Sequence, residues 1–179
     1  MPSVLVPLAD GFEEIEVFAP VDLLRRAGVE VVVASLAENR HATGRSGVTA
    51  HADIALAAWG DRLADCLFLP GGPGVKALRA DARVLDLVRR HVEADRWIAA
   101  ICAAPTVLHD AGLLKGRRFT AHFSTRDELP GAVVGERVVV DGRLITSPGA
   151  GTALDFGLHL VRVFVSPAKA EEIGKAICF

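Results

Sequence analysis

The chain has 179 residues, 51% of them hydrophobic and 23% charged, with a formal net charge of -2. That is enough for one well-covered core, and without a long basic run it excludes an electrostatic footprint for nucleic acid. The start, Met1 to Leu8, lacks a cationic segment, and the longest apolar run, Trp97 to Leu108, falls short of the ~20 residues a membrane helix needs, so the expectation is one cytoplasmic domain over residues 1–179, with neither nucleic acid nor membrane as partner.

Short apolar runs alternate with helical stretches. Ser3–Leu8 reads as a strand, Glu13–Ala27 as a helix ended by Gly28, and Val29–Ser35 as a β-branched strand. Asn39–Ser46 is polar and loop-like, and Val48–Ala50 is a short extended piece. Asp65–Leu69 is a strand stopped by Pro70-Gly71-Gly72-Pro73-Gly74. Asp81–Ala94 carries Val84, Leu87, Val88 and His91 at helical spacing. Trp97–Ile101 is the next strand, Ala103–Ala111 a short helix, and Arg118–Ala121 an extended segment. Val138–Ser147 is a hairpin turning at Asp141-Gly142, Thr152–Val165 is a helix, and Pro167 starts the last one. Strands that alternate with helices and are apolar throughout imply an α/β fold with a mostly parallel sheet covered on both faces. Sites in such sheets lie beyond the carboxyl ends of the strands, so the search narrows to the residues after Leu8, Leu69, Ile101 and Ala121.

Those places hold the unusual residues. Cys102 follows a strand and precedes a helix, among Ala99, Ala100, Ala103 and Ala104. Small neighbours suit a sharp, strained strand-to-helix turn, and a helix N-terminus would favour the thiolate. A buried small hydrophobe fits the same position. Cys66 and Cys178 lack this setting; with no CxxC pair and six dispersed histidines, neither a disulfide framework nor a metal site is expected. Gly71 and Gly72 could bring backbone N–H groups to a developing negative charge, or form a plain turn. Glu16 lies one turn into the first helix, beside the apolar stripe of Val17, Pro20, Val21 and Leu24. Next to a thiolate it should hold a proton; the alternative is an exposed helix-start acid. His122 follows an apparent core strand and is either a proton carrier or a satisfied loop histidine.

Four segments in this order, Leu8-Ala-Asp-Gly-Phe-Glu-Glu-Ile-Glu16, Leu69-Pro-Gly-Gly72, Ala99-Ala-Ile-Cys-Ala-Ala-Pro105 and Thr146-Ser-Pro-Gly-Ala-Gly-Thr152, resemble the DJ-1/ThiJ/PfpI superfamily, in particular its parkinsonism-associated protein deglycase branch. The resemblance spans nearly the whole chain and implies a flavodoxin-like three-layer sandwich and a homodimer. It also implies a cysteine-dependent, cofactor-free glyoxalase or deglycase with a stress-protective role, acting on methylglyoxal-like aldehydes. It matches Cys102 to the nucleophile, Glu16 to its acidic partner and His122 to the histidine of many members. Gly72 and Ala103 match the N–H donors, and Arg25, Arg26 or Arg45 the arginines near the pocket, some reaching across the dimer. The peptidases of the superfamily have histidine directly after the cysteine; here Ala103 stands there, which weakens a peptidase reading. A redox sensor or chaperone-like stress protein with an oxidisable Cys102 is the other class the sequence allows.

Overall fold

The computed structural model describes residues 1–179. β1 (Ser3–Leu8), β2 (Glu30–Ser35), β6 (Cys66–Leu69) and β7 (Trp97–Ile101) form the parallel centre of a seven-stranded sheet. β5 (Ile54–Ala55) extends it beyond β2, and the hairpin β8 (Val139–Asp141) and β9 (Leu144–Ser147) completes it in the order β5-β2-β1-β6-β7-β9-β8. Only β8 runs antiparallel. β3 (His41–Thr43) and β4 (Thr49–His51) make a separate two-stranded hairpin.

Side chains alternate across each strand, so every central strand feeds two cores. Val4, Val6, Leu8, Phe68 and Ile101 face α1 (Glu14–Arg26), α5 (Ala153–Phe164) and α6 (Pro167–Ala176). Leu5, Leu67, Leu69, Ile98 and Ala100 face α2 (Val75–Ala80), α3 (Ala82–Glu93) and α4 (Pro105–Asp110). Each fully buried leucine or phenylalanine stabilises the fold by about 1.5–3 kcal/mol relative to exposure, which is why this sandwich forms from runs apolar on both faces. No helix is long and apolar enough to cross a membrane.

Three expectations need correction. The polar stretch 39–46 contains β3. The segment Arg118–Ala121 joins no sheet: the place beside β7 is taken by β9, and Thr120 N–H donates to the Thr146 side chain rather than to a backbone ladder. The helix after Cys102 starts only at Pro105 and has six residues, because the chain first makes a tight turn through Ala103 and Ala104.

His91 shows how closely the α3 core is packed. Val84, Leu87, Val88 and His91 form the helix's buried stripe. The imidazole donates through Nδ1 to the Leu87 carbonyl at 2.7 Å, while Nε2 is buried without a hydrogen-bond partner. Burial first, then the charges of Arg90 and Arg96, hold its pKa below the ordinary value. The unfolded chain therefore takes up a proton at higher pH than the folded one. Stability from a neutral His91 is complete above about pH 6.5 and is lost as pH falls through the lowered folded value. His91→Met should remove this component, so its denaturant midpoint should fall less than the wild type's between pH 7 and pH 5.

Candidate active site

The carboxyl ends of β1, β6 and β7 converge on Cys102. β7 delivers it into a turn at φ +64°, a left-handed conformation that costs a non-glycine residue about 1–3 kcal/mol and persists only when its surroundings enforce it. Two bonds do so here: Cys102 N–H donates to the Ser147 carbonyl at 2.9 Å, and His122 N–H donates to the Cys102 carbonyl at 2.8 Å. The side chain is 9% exposed and forms part of the floor of an open cleft of about 490 Å³.

Glu16 reaches the sulfur from α1. Glu13 caps that helix, its carboxylate accepting from Glu16 N–H at 2.9 Å, and fixes the first turn. Glu13 N–H in turn donates to the Gly71 carbonyl at 3.1 Å, tying the helix start to the glycine loop. Glu16 is only 1% exposed, so the reading of an exposed helix-start acid is excluded. Its carboxyl hydrogen-bonds the Cys102 thiol and accepts from the N–H groups of Gly71, at 3.1 Å, and Ala150. Burial raises its pKa to about 7 despite these hydrogen bonds, with the charge of Glu13 adding to the rise.

The thiol is pushed up as well, to about 12, by burial and then by the negative charge of Glu16; the nearby backbone N–H groups of Gly72 and Ala103 pull the other way. The helix expected directly after Cys102 begins only at Pro105, three residues further on. Glu16 and Cys102 are instead a coupled pair, and loss of the carboxylate charge when Glu16 holds a proton removes one of the two main obstacles to ionising the sulfur.

Gly71 and Gly72 divide their tasks. The Gly71 amide is committed to Glu16 and is not a free donor to an oxyanion, contrary to expectation; Gly72, at φ +90°, lines the cleft beside Cys102. A Cβ on Gly71 would lie 2.4 Å from Glu16 Oε2 and 2.5 Å from Cys102 Cβ. Gly71→Ala should therefore separate acid and thiol. A displacement of this size should lower turnover about 100-fold, with a cooperative thermal transition retained; steady-state kinetics beside a melting curve checks both.

His122 lies on the cleft wall. Its Nδ1 accepts from Ser124 N–H at 3.3 Å and is 2.8 Å from Ser124 Oγ, which leaves the proton on Nε2. Burial, then Arg45, holds the ring's pKa down, so it is neutral at pH 7. Arg45 lies on the cleft rim, its backbone N–H held by the Phe12 carbonyl at 2.8 Å. Arg25 and Arg26 do not join it. They occupy the last turn of α1, where Arg25 pairs with Asp53 at 2.7 Å and Arg26 with Asp22 at 2.7 Å. Cys66 is fully buried, and its thiol pKa is raised by burial; Cys178 is exposed near the chain end.

Several lining residues carried no sequence signal: Lys76, Arg79, Thr106 and Glu128. Arg79 clamps Asp110 through two bonds of 2.6 and 2.8 Å and Glu128 at 2.8 Å, joining α2, α4 and the segment after His122 into one wall. No cluster of three or more histidine, cysteine or carboxylate side chains is placed to hold a metal ion.

The DJ-1/PfpI family model matches residues 2–163. The chain belongs to the DJ-1/PfpI family. It is 33% identical to the Glutathione-independent glyoxalase DJR-1.2 of Caenorhabditis elegans, over 98% of this chain and 94% of that protein. It is 37% identical to Protein DJ-1 homolog A of Arabidopsis thaliana over 98% of its own length, and spans 45% of that longer relative. The crystal structure of Drosophila melanogaster DJ-1beta superposes with a TM-score of 0.95 at 38% identity, covering 99% of this chain and 97% of the other.

Proposed function

We propose that this protein is a cysteine-dependent, cofactor-free glyoxalase of the deglycase type, acting on α-oxoaldehydes such as methylglyoxal and on their early adducts with amines or thiols. The observation that carries the reading is the Cys102–Glu16 pair, which meets beside Gly71 in an open cleft that Gly72 and Ala103 also line. The glyoxalase name of the Caenorhabditis elegans relative supports it.

The steps balance without any added oxidant or metal. In the reactive form the Glu16–Cys102 pair has lost one proton, and the remaining proton resides on Glu16. The Cys102 thiolate adds to the aldehyde carbon, and the oxygen that gains the charge lies against the amides of Gly72 and Ala103. Glu16 gives that oxygen its proton and, now a carboxylate, removes the hydrogen from the same carbon. His122 protonates the neighbouring oxygen through Nε2 and takes back the proton of the first. Glu16 returns its proton to the second carbon, leaving a 2-hydroxy thioester on Cys102, which water hydrolyses to the hydroxy acid and the free thiol. Methylglyoxal and water thus give lactate. An early adduct enters once its carbon–nitrogen or carbon–sulfur bond breaks and the protonated amine or thiol leaves, which restores the aldehyde to which Cys102 adds.

The test is lactate formation from millimolar methylglyoxal with glutathione absent and a chelator present. Many turnovers per protein support the proposal; less than one turnover per cysteine sinks it. One feature favours a redox role for the same sulfur: a carboxyl that keeps its proton up to about pH 7 can donate a hydrogen bond to an oxidised Cys102. Mass analysis after mild peroxide treatment tests that second reading. We also propose a homodimer, because α1 and the neighbouring hairpin leave Ile15, Phe18 and Val48 exposed. The solution mass by sedimentation decides it.

A further inference from the structure

Phe123 lies outside both cores. It is 70% exposed and follows His122 directly, opening a 3-10 turn over Phe123–Thr125. Consecutive residues of a regular strand or helix do not face each other. His122, however, has an extended backbone and the residues after it a helical one, and this change of course lets the two side chains meet. Their ring centroids are 4.1 Å apart, with the planes tilted by 36°. That is closer than the ~4.5–7 Å usual for aromatic pairs, so the rings are in face contact.

The rest of the imidazole's surroundings show what this contact adds. The His122 backbone N–H is fixed on the Cys102 carbonyl at 2.8 Å. Nδ1 is held by Ser124, through Oγ at 2.8 Å and N–H at 3.3 Å. A Cβ on Gly149 would lie 3.4 Å from His122 Cδ2 and 3.8 Å from Glu16 Oε1. The ring edge next to Nε2 and the buried acid therefore flank the same bare glycine. The Ser124 bonds are made at the ring's edge. They fix which nitrogen carries the proton but leave the ring free to rock about them. Contact on a ring face stops that motion, and Phe123 supplies it.

We propose that Phe123 is a positioning residue, whose stacking holds the His122 imidazole against Gly149 with Nε2 on the cleft side, near Glu16. The inference rests on the proton-transfer role that the glyoxalase reading gives to His122. Phe123 is not part of the cleft lining and acts through the ring it covers. Loss of one stacked face lets the ring leave its place for much of the time, an effect of about 10-fold.

The experiment is a double-variant cycle of wild type, Phe123→Ala, His122→Gln and the double variant, with Phe123→Tyr beside it. Methylglyoxal kinetics, melting curves and imidazole 15N spectra are the readouts. Phe123→Ala should lower kcat about 10-fold, with KM and melting temperature near those of the wild type, because the side chain is exposed and supports no core. Phe123→Tyr should restore kcat. In the His122→Gln background Phe123→Ala should cost nothing more. An equal further loss there overturns the proposal, as does an unchanged kcat in Phe123→Ala alone. The spectra, recorded above the ring's own titration range, need no turnover. Wild-type His122 should carry its proton on Nε2 alone, and in Phe123→Ala the shifts of the two nitrogens should draw together as tautomers exchange. Identical nitrogen shifts in the two proteins overturn the positioning role even if methylglyoxal is consumed. Shifts that draw together in a protein consuming none uphold it and remove the glyoxalase reading instead.

Discussion

Cys102→Ala is expected to lower methylglyoxal turnover by on the order of 10⁴-fold or more, to the level of buffer, because it removes the sulfur to which the proposed thioester intermediate is bonded. The fold should survive. The substitution trades a small side chain for a smaller one at a position enforced by the Ser147 and His122 backbone bonds, and alanine neighbours already surround it. Product counting together with far-UV dichroism separates the two effects. Cys102→Ser is the sharper companion, since it keeps a hydroxyl at the same place but with a much higher pKa than the thiol. If either variant makes lactate at the wild-type rate, covalent catalysis at this residue is wrong, whatever the family resemblance. Loss of activity in both, with native dichroism and an unchanged melting temperature, leaves the sulfur's own chemistry as the explanation.

How much of this site was legible beforehand depends on whether a feature is local. The elbow at Cys102 could be read because a strand, a run of alanines and Pro105 all lie within a few residues of it. The strands Ser3–Leu8 and Trp97–Ile101 could be read for the same reason, each being an uninterrupted apolar run. β3 was hidden because it has three residues and buries one, Ala42, which is too little for alternation to register. α2, six residues after a glycine-rich turn, is too short for helical periodicity, so Lys76 and Arg79 went unnoticed on the cleft wall. The role of Gly71 was misread because its amide partner, Glu16, lies 55 residues away in sequence. The arginines show the same limit. Arg25 and Arg26 stand in the same predicted helix as Glu16, but 13 residues of α1 span about 20 Å, and that length carries them to the opposite end of the sheet. Arg45 comes to the cleft because the Phe12 carbonyl holds its backbone there.

Glu16→Gln is expected to lower turnover at pH 7 about 1000-fold, within the range for losing a positioned acid and base, and its pH profile says more than its rate. In the wild type the first proton leaves the Glu16–Cys102 pair near pH 7, the value to which burial raises the carboxyl. The form that has lost one proton is the one able to place the negative charge on sulfur, so kcat/KM should rise through about pH 7 and then level off. Glutamine cannot ionise. It removes the charge that raises the thiol, but it also removes the group whose proton is lost first. The sulfur must then ionise alone, against the burial that is the largest cause of its upward shift. The inflection should therefore move to higher pH, and iodoacetamide alkylation of Cys102 should show the same displacement without any substrate present. An inflection that stays near pH 7 in Glu16→Gln assigns it to another group, with His122 a titratable candidate on the cleft wall. The shared-proton account would then fail, even if Cys102 remained essential.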